Sequence, residues 1–412
     1  MEIDQNTLSY WQTTAASVTF SPHLPSTIEV AVVGGGITGV ACCYWLAQTG
    51  HTVALLEGKT LAYGATGRNG GIVSIGLAES YPDAIARLGH ERARNVLSLT
   101  LENRTLLRQI IAEEEIACDY REPGHVTLAL TADQMERLAR SVAILQADGI
   151  NAEVIDRQKV QELIHTPLGQ DIVGGKFTSE VGLVHSARLV HGLAKASQRY
   201  GARICETKVE RLGADAEGML IHTTHGTVRA RKVIVALNAW TGELVPAIDK
   251  LITPVRGQVL AYRPHAPVFT TSMSVDFTDT EEYWQQTVDG TIVLGGCRAI
   301  APGCDIGVGV DQPTTEVQTA LEQVFPQLFP SLTNLQVVQR WAGVMAFTPD
   351  LLPIVDQLKD MPRAWVVCGF SGHGMAFGMR LGQLLAKAVT NGTVPEELTP
   401  FRLDRPTLTL RL

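Results

Sequence analysis

Charge is scarce in this sequence, and none of it is gathered into a basic run. Of 412 residues only 18% are Asp, Glu, Lys or Arg, and the formal net charge is −8. That balance excludes nucleic acid as an expected partner. Hydrophobic residues make up 45%, so the low charge belongs to a globular chain and not a disordered one. The seven cysteines include no C-x-x-C pair. An odd number without that spacing suits reduced thiols in a cytoplasm better than a disulfide framework, and no metal site is read from the sequence. The opening stretch MEIDQNTLSYWQTTA has no basic region followed by an apolar one, so no signal peptide is expected. Long apolar spans are missing too. Val30 to Leu46 is uncharged, but it contains a glycine turn and divides into a strand and a helix, each too short to cross a bilayer. No transmembrane segment, internal repeat or low-complexity tract is found, and the length allows two domains with proper cores.

What is present begins at Ile28. The stretch to Glu57, IEVAVVGGGITGVACCYWLAQTGHTVALLE, reads as strand, glycine turn, helix, strand and acid. Ile28–Val33 is a short β-branched run, as a strand buried on both faces requires. Gly34, Gly36 and Gly39 supply the G-x-G-x-x-G spacing where a helix opens. The first permits the tight turn, the second lets backbone approach a pyrophosphate, and the third allows close helix–strand packing. Gly50 ends the helix, His51–Leu56 is the second strand, and Glu57 is placed to accept hydrogen bonds from a ribose. An adenine-dinucleotide site is the expectation, with a plain glycine-rich turn as the alternative.

The remaining sequence alternates between helical and strand patterns. Amphipathic helices are predicted over Asp83–Cys118, Ala132–Asp148 and Arg188–Tyr200, the last two ended by Gly149 and Gly201. Ala202–Cys205 resembles a parallel strand. Met219–Thr224 and Thr227–Arg231 flank a hairpin turn at His225-Gly226, and Lys232–Leu237 reads as a further buried strand. From Pro254 to about Gly296 the pattern is antiparallel, including Glu282–Thr287 and Thr291–Leu294 around Asp289-Gly290. Ala364–Cys368 is a strand that leads through GFSGHG into a helix over Met375–Asn391. The fold class is therefore α/β, with a Rossmann-type domain built from discontinuous segments and a second α+β domain containing an antiparallel sheet. Residues 1–82, 150–245 and 340–412 are assigned to the first domain, and 83–149 and 246–339 to the second.

Two further loops favour a flavin over a nicotinamide. Ala62 to Ser74, AYGATGRNGGIVS, can lay backbone N–H groups against phosphate or a flavin ring, with Arg68 offering a charge-assisted bond to an anion; a surface loop is the plainer alternative. Gly369 to Gly374, GFSGHG, lies between a strand and a helix, so N–H groups and a positive helix end converge where reduced flavin carries negative charge. A second phosphate cradle is the alternative there.

Together these motifs resemble the D-amino acid oxidase family of flavoproteins, which includes glycine oxidase and monomeric sarcosine oxidase. SYWQTTA, GATGRNGG, ALNAWTGEL, PVRGQVLA, WAGVMAFTPDLLPIV and CGFSGHGM are most similar to the γ-glutamylputrescine oxidase branch. The resemblance runs from about Ser9 to Asn391. It implies bound FAD, held by Val33, Gly34, Gly36, Ile37, Thr38 and Gly39 at the pyrophosphate and by Glu57 and Gly58 at the adenosine ribose. Gly64, Ala65, Thr66, Arg68, Asn69, Gly70 and Gly71 line the flavin middle and ring. Val209, Ala236 and Trp240 close the adenine side, and Gly343 with Gly372, His373, Gly374 and Met375 caps the pyrimidine edge. For Val209 and Trp240, plain core packing is an equal alternative.

The departures from the family pattern concern chemistry. Gly343 aligns with the cysteine that tethers flavin in sarcosine oxidase, so non-covalent FAD is expected. Met345 stands where glycine oxidase has a carboxylate-clamping arginine, and Ala376 where sarcosine oxidase has a carboxylate-binding lysine. An α-carboxylate without a cation would be poorly paired in a dry site. The expected substrate is therefore a small amine, or an amino acid whose carboxylate is held farther away. Val293 or Leu294 aligns with the lysine that helps O2 react, which leaves O2 or another electron acceptor open. Tyr283, Trp284, Arg298, Trp341, Met345 and His373 are the candidates for the substrate wall, and no catalytic acid–base dyad is identified. The implied activity is oxidation of a C–N bond by hydride transfer to flavin, followed by imine hydrolysis. The alternatives are an FAD-dependent amino-acid dehydrogenase, a non-catalytic FAD-binding subunit and an NAD-dependent dehydrogenase. The last leaves both glycine loops unexplained.

Overall fold

The computed structural model describes residues 7–276 and 281–409. Its first sheet has eight strands, with Thr27–Val33 at its centre. Val53–Glu57 and then Arg203–Glu206 pair parallel on one side, and Gly226–Val235 and then Met361–Cys368 on the other. Ile354–Leu358 closes that edge antiparallel. Because chain order reverses direction at the central strand, a crevice opens beyond the strand ends between Val33 and Val235. Open α/β sheets bind ligands at this position. Gly34 has φ +110, and a Cβ there would lie 2.5 Å from Ala236 O, so only glycine permits the two strand ends to abut.

Thr227–Arg231 and Lys232–Leu237, read as separate strands, form one strand, Gly226–Val235. Its first half pairs antiparallel with Met219–Thr223, and its second half joins the parallel core. The single helix expected over Asp83–Cys118 is two, Tyr81–Leu88 and His90–Glu113, broken at Gly89 with φ +81. The other predicted helices form, as Ala132–Ala147, Ser186–Arg199 and Gly374–Asn391.

A second eight-stranded sheet runs in the spatial order Val337–Phe347, Thr253–Tyr262, Ile292–Gly295, Glu281–Gln286, Ser272–Asp276, His125–Ala129, Gly174–Thr178, Ala152–Asp156. All neighbours are antiparallel except Ser272–Asp276 beside His125–Ala129. Ala152–Asp156 and Gly174–Thr178, assigned from the sequence to the first domain, pair here, as does most of the length of Val337–Phe347 beyond residue 340. Their antiparallel ladders with second-sheet strands place them there. One face of this sheet packs an aromatic core, with Trp284, Phe269, Phe325 and Phe329 in edge and tilted contacts. The opposite face looks toward the crevice of the first sheet.

Candidate active site

A cavity of about 1130 Å³ runs from the strand ends of the first sheet to the open face of the second. That volume lies just above the roughly 300–1,000 Å³ of ordinary small-molecule sites. Its near end is backbone. The helix Ile37–Gln48 opens into it behind Gly36; Thr66 Oγ1 accepts the Ile37 N–H at 3.2 Å, and the other first-turn N–H groups are presented to a ligand. Glu57 Oε2 accepts the Gly35 N–H at 2.6 Å and Oε1 accepts the Lys59 N–H at 2.7 Å. Burial raises the pKa of this carboxyl, against the pull of those bonds. Each oxygen keeps lone pairs for a hydroxyl donor. Val33, Thr38, Gly58, Val209, Ala236 and Trp240 also line this end. Gly39 does not; a Cβ there would run into Gly34 O, so it serves the packing of helix on strand.

The loop Gly64–Gly71 forms the middle wall, and its shape comes from residues with no motif of their own. The N-terminal helix Tyr10–Thr14 is boxed by Ser9 and Gln12, whose side chains also bond Gly67 O and Tyr63 O. Trp11 Nε1 donates to Asn69 O at 2.6 Å, and Trp341 Nε1 donates to Arg68 O at 2.9 Å. Asn69 Oδ1 accepts the Gly71 N–H at 2.8 Å.

Arg68 does not offer its charge to an anion in the cavity. Its Nε donates to Tyr63 O at 2.9 Å, Nη1 donates to Thr7 O and Ala342 O at 2.9 Å each, and Nη2 pairs with Asp311 at 3.2 Å. The side chain is a buried tie between the loop, the N-terminal segment and the second sheet. Gly64, Ala65, Thr66, Asn69, Gly70 and Gly343 line the same wall, whereas Gly71 lies beneath it against Trp11 and Gln285.

At the far end, alternation along the strands separates the substrate-wall candidates. Tyr283, Arg298, Met345 and His373 face the cavity. Trp284 points to the opposite face and is fully buried in the aromatic core, and Trp341 is fully buried beneath the Arg68 carbonyl; neither reaches the cavity. Tyr283 is held flat by two glycines, since a Cβ on Gly70 or Gly295 would lie 2.6 or 2.5 Å from its ring. Burial pushes its phenol up to about 12, so it stays protonated. The turn Ser371-Gly372, with φ +47 and +85, leads into the helix Gly374–Asn391, whose N-terminus carries no side-chain cap; Gly372, Gly374 and Met375 line the cavity. His373 is kept neutral by burial, and its Nδ1 is buried without a partner. An orphaned polar atom, two helix N-termini and a carboxylate with spare lone pairs are the features a bound dinucleotide would satisfy, and FAD fits them. No cysteine lines the cavity among the described residues.

Sequence reasoning did not find the polar side of the far end, made by His125 and Thr127 on one strand and Lys176 and Thr178 on the next. Their signal is alternation of polar residues along two strands whose pairing only the fold reveals.

The geometry defines a two-sheet flavoprotein fold with the ligand trough between the sheets. The family model for FAD dependent oxidoreductases (DAO) matches residues 29–388, and the chain belongs to that family. It is an FAD-dependent oxidoreductase. Gamma-glutamylputrescine oxidoreductase of Escherichia coli is 27% identical over 377 residues, covering 88% of this chain and 83% of that one. The probable oxidoreductase OrdL of Haemophilus influenzae is 27% identical over 375 residues, covering 88% and 82%. The crystal structure of glycine oxidase from Geobacillus kaustophilus shares the fold with a TM-score of 0.80 at 22% identity, over 92% of this chain and 99% of its own. Among the described residues no helix is long and apolar enough to cross a membrane.

Proposed function

We propose that the protein oxidises the C–N bond of an amine, or of an amino acid whose carboxylate lies away from the reacting carbon, with O2 as the electron acceptor. The observation that supports this reading is the continuity of one cavity from the dinucleotide end to a wall of Tyr283, Met345 and His373, groups held neutral. FAD, when bound without a covalent link, supplies the acceptor for the substrate hydride. The chain contributes positioning and dryness. Tyr283 and Met345 present apolar surface that orders the substrate's carbon chain, and the Gly70–Tyr283–Gly295 stack fixes that surface against sliding. His373 offers a neutral nitrogen to a polar atom rather than a charge. The substrate nitrogen needs only to be unprotonated for its α-hydrogen to leave as hydride, so no acid–base dyad is required. The resulting imine takes up water to give a carbonyl compound and an amine, and the two electrons leave to O2 as hydrogen peroxide.

Adding amines and amino acids to the oxidised protein without oxygen, and following loss of the yellow absorption, tests the reading. Bleaching by alkylamines and diamines faster than by glycine, sarcosine or D-alanine supports it. The reverse order overturns the substrate class. Peroxide formation on readmitting air supports O2, whereas slow recovery hastened only by an added dye places the protein among dehydrogenases. Acid precipitation should leave all flavin in the supernatant.

A further inference from the structure

Four neighbouring strands of the second sheet place Lys176, Thr127, Ser274 and Tyr283 side by side in one row. Lys176, Thr127 and Tyr283 line the cavity. Beside them His125 is locked between Ser272 Oγ at 2.8 Å and Ser274 Oγ at 2.9 Å, and burial pushes its pKa down to about 3, so it contributes no charge. Lys176 is the ammonium of this row. Among the described residues it forms no hydrogen bond and no ion pair within 4.0 Å. Glu281 and Asp276 line the same end on adjacent strands, and neither closes onto it. Burial pushes the lysine below its ordinary range, with Glu281 opposing that shift. A half-buried ammonium without a partner among the described residues is costly to keep, and it lines the space a substrate would fill.

We propose that Lys176 is the counter-ion for a carboxylate carried by the substrate at the end remote from its reacting amine. The inference rests on the amine-oxidising reading above and narrows its substrate class to amino-terminated chains that bear a distant carboxylate. The other cations near the cavity are differently placed: Lys59, Arg137 and Lys208 line it but stand exposed to solvent. Arg68 is consumed by carbonyls and Asp311. Arg256 is held bidentate by Asp305 at 2.7 and 2.8 Å. Arg298 lies over the Phe347 ring, 5.5 Å from its centroid. An ammonium on a rigid strand, flanked by the hydroxyl of Thr127, offers a carboxylate two donors without moving the backbone.

The test compares ligand pairs of equal length on the FAD-loaded protein. ω-Aminocarboxylates from β-alanine to ε-aminocaproate are titrated beside the alkylamines that lack the carboxylate. Affinity is read from perturbation of the flavin absorption, or from saturation of the anaerobic bleaching rate where bleaching occurs. One or more aminocarboxylates should bind about ten- to a hundred-fold tighter than the matching amine, the value of a charge-assisted bond. Lys176→Met should erase that preference with FAD content unchanged, Lys176→Arg should keep most of it, and Arg298→Met should leave it in place. Absence of any preference in the unaltered protein, or a preference that survives Lys176→Met, overturns the proposal. The two readings fail separately. If amines bleach the flavin in every variant but the preference is indifferent to Lys176, the proposed function stands and this inference falls. If no amine bleaches it, the binding comparison still decides on Lys176.

Discussion

At the dinucleotide end of the cavity the walls are largely chain: Gly34 and Gly36 and the first-turn N–H groups of one helix, beside the carboxylate of Glu57. At the substrate end the walls are side chains, which stand on strands drawn from residues 125–129, 174–178, 272–276 and 281–286. The first end is built to grip a group common to a whole family, and it does so with atoms every residue has. The second is built to distinguish molecules, and its polar, apolar and charged groups can each be exchanged without disturbing a hydrogen-bonded ladder. Substitutions should therefore act differently at the two ends, on retention of the cofactor at one and on choice of ligand at the other.

The sharpest break of that contrast is Gly34→Val. With φ +110 and Ala236 O 2.5 Å from the new Cβ, the strand ends must part, at an expected cost above about 4 kcal/mol. The purified protein should be colourless and melt early; a yellow protein of normal melting temperature would contradict the account of the crevice. Arg68→Ala comes next. It removes the cation beside Asp311 and a donor from the Thr7 and Ala342 carbonyls, while Tyr63 O keeps Gln12; with Asp311 partly exposed, the loss is expected at about 2–3 kcal/mol. Thermal stability should fall by that order, and limited proteolysis should begin at the N-terminal segment. Unchanged stability with weakened FAD binding would instead return Arg68 to a role as an anion ligand.

Trp284→Leu sharpens the distinction between the two faces of the second sheet. The side chain is fully buried among Phe269, Phe325 and Phe329, so a loss of about 2–3 kcal/mol is expected, with ligand preferences unaltered in spectral titration. The last prediction concerns protons. His125 has its folded pKa depressed to about 3, against an ordinary value near 6.5. As pH falls, the unfolded chain takes up this proton first. The stability present above pH ~6.5 is therefore lost progressively toward pH ~3, by up to ~1.4 kcal/mol per unit. His125→Gln should flatten the acid limb of stability against pH by about one proton over that window, and an unchanged slope would mean that His125 titrates normally.

The legibility of the molecule follows the same division. Ile28 to Glu57 could be read directly because every element of that unit is adjacent in sequence and each glycine has a local geometric reason. GFSGHG was legible on the same grounds, lying between strand and helix. Arg68 was not, because its partners Thr7, Ala342 and Asp311 are brought to it only by the fold. Trp284 was misplaced by one residue's worth of alternation. Tyr283 and Trp284 are equally aromatic, and which of them meets the cavity depends on register against Ser274 and Met273. Lys176 and His125 escaped notice because nothing in HVTLA or GGKFT marks a site until the two strands pair. The break at Gly89 lay inside a continuous amphipathic pattern, where the glycine alone was the signal.

The row that carries Lys176 also limits how this protein and its relatives can diversify. Met273 and Trp284 face each other on the buried side of the strands whose other side bears Ser274 and Tyr283. Inserting or deleting one residue in either strand would exchange the two sides, burying hydroxyls among phenylalanines and turning a tryptophan toward the ligand. New selectivity is therefore open to replacement at alternate positions, or to changes of length by two, and closed to single-residue insertions. A library that varies residues 125, 127, 176, 178 and 283 while holding every strand length fixed would explore the accessible chemistry of this wall.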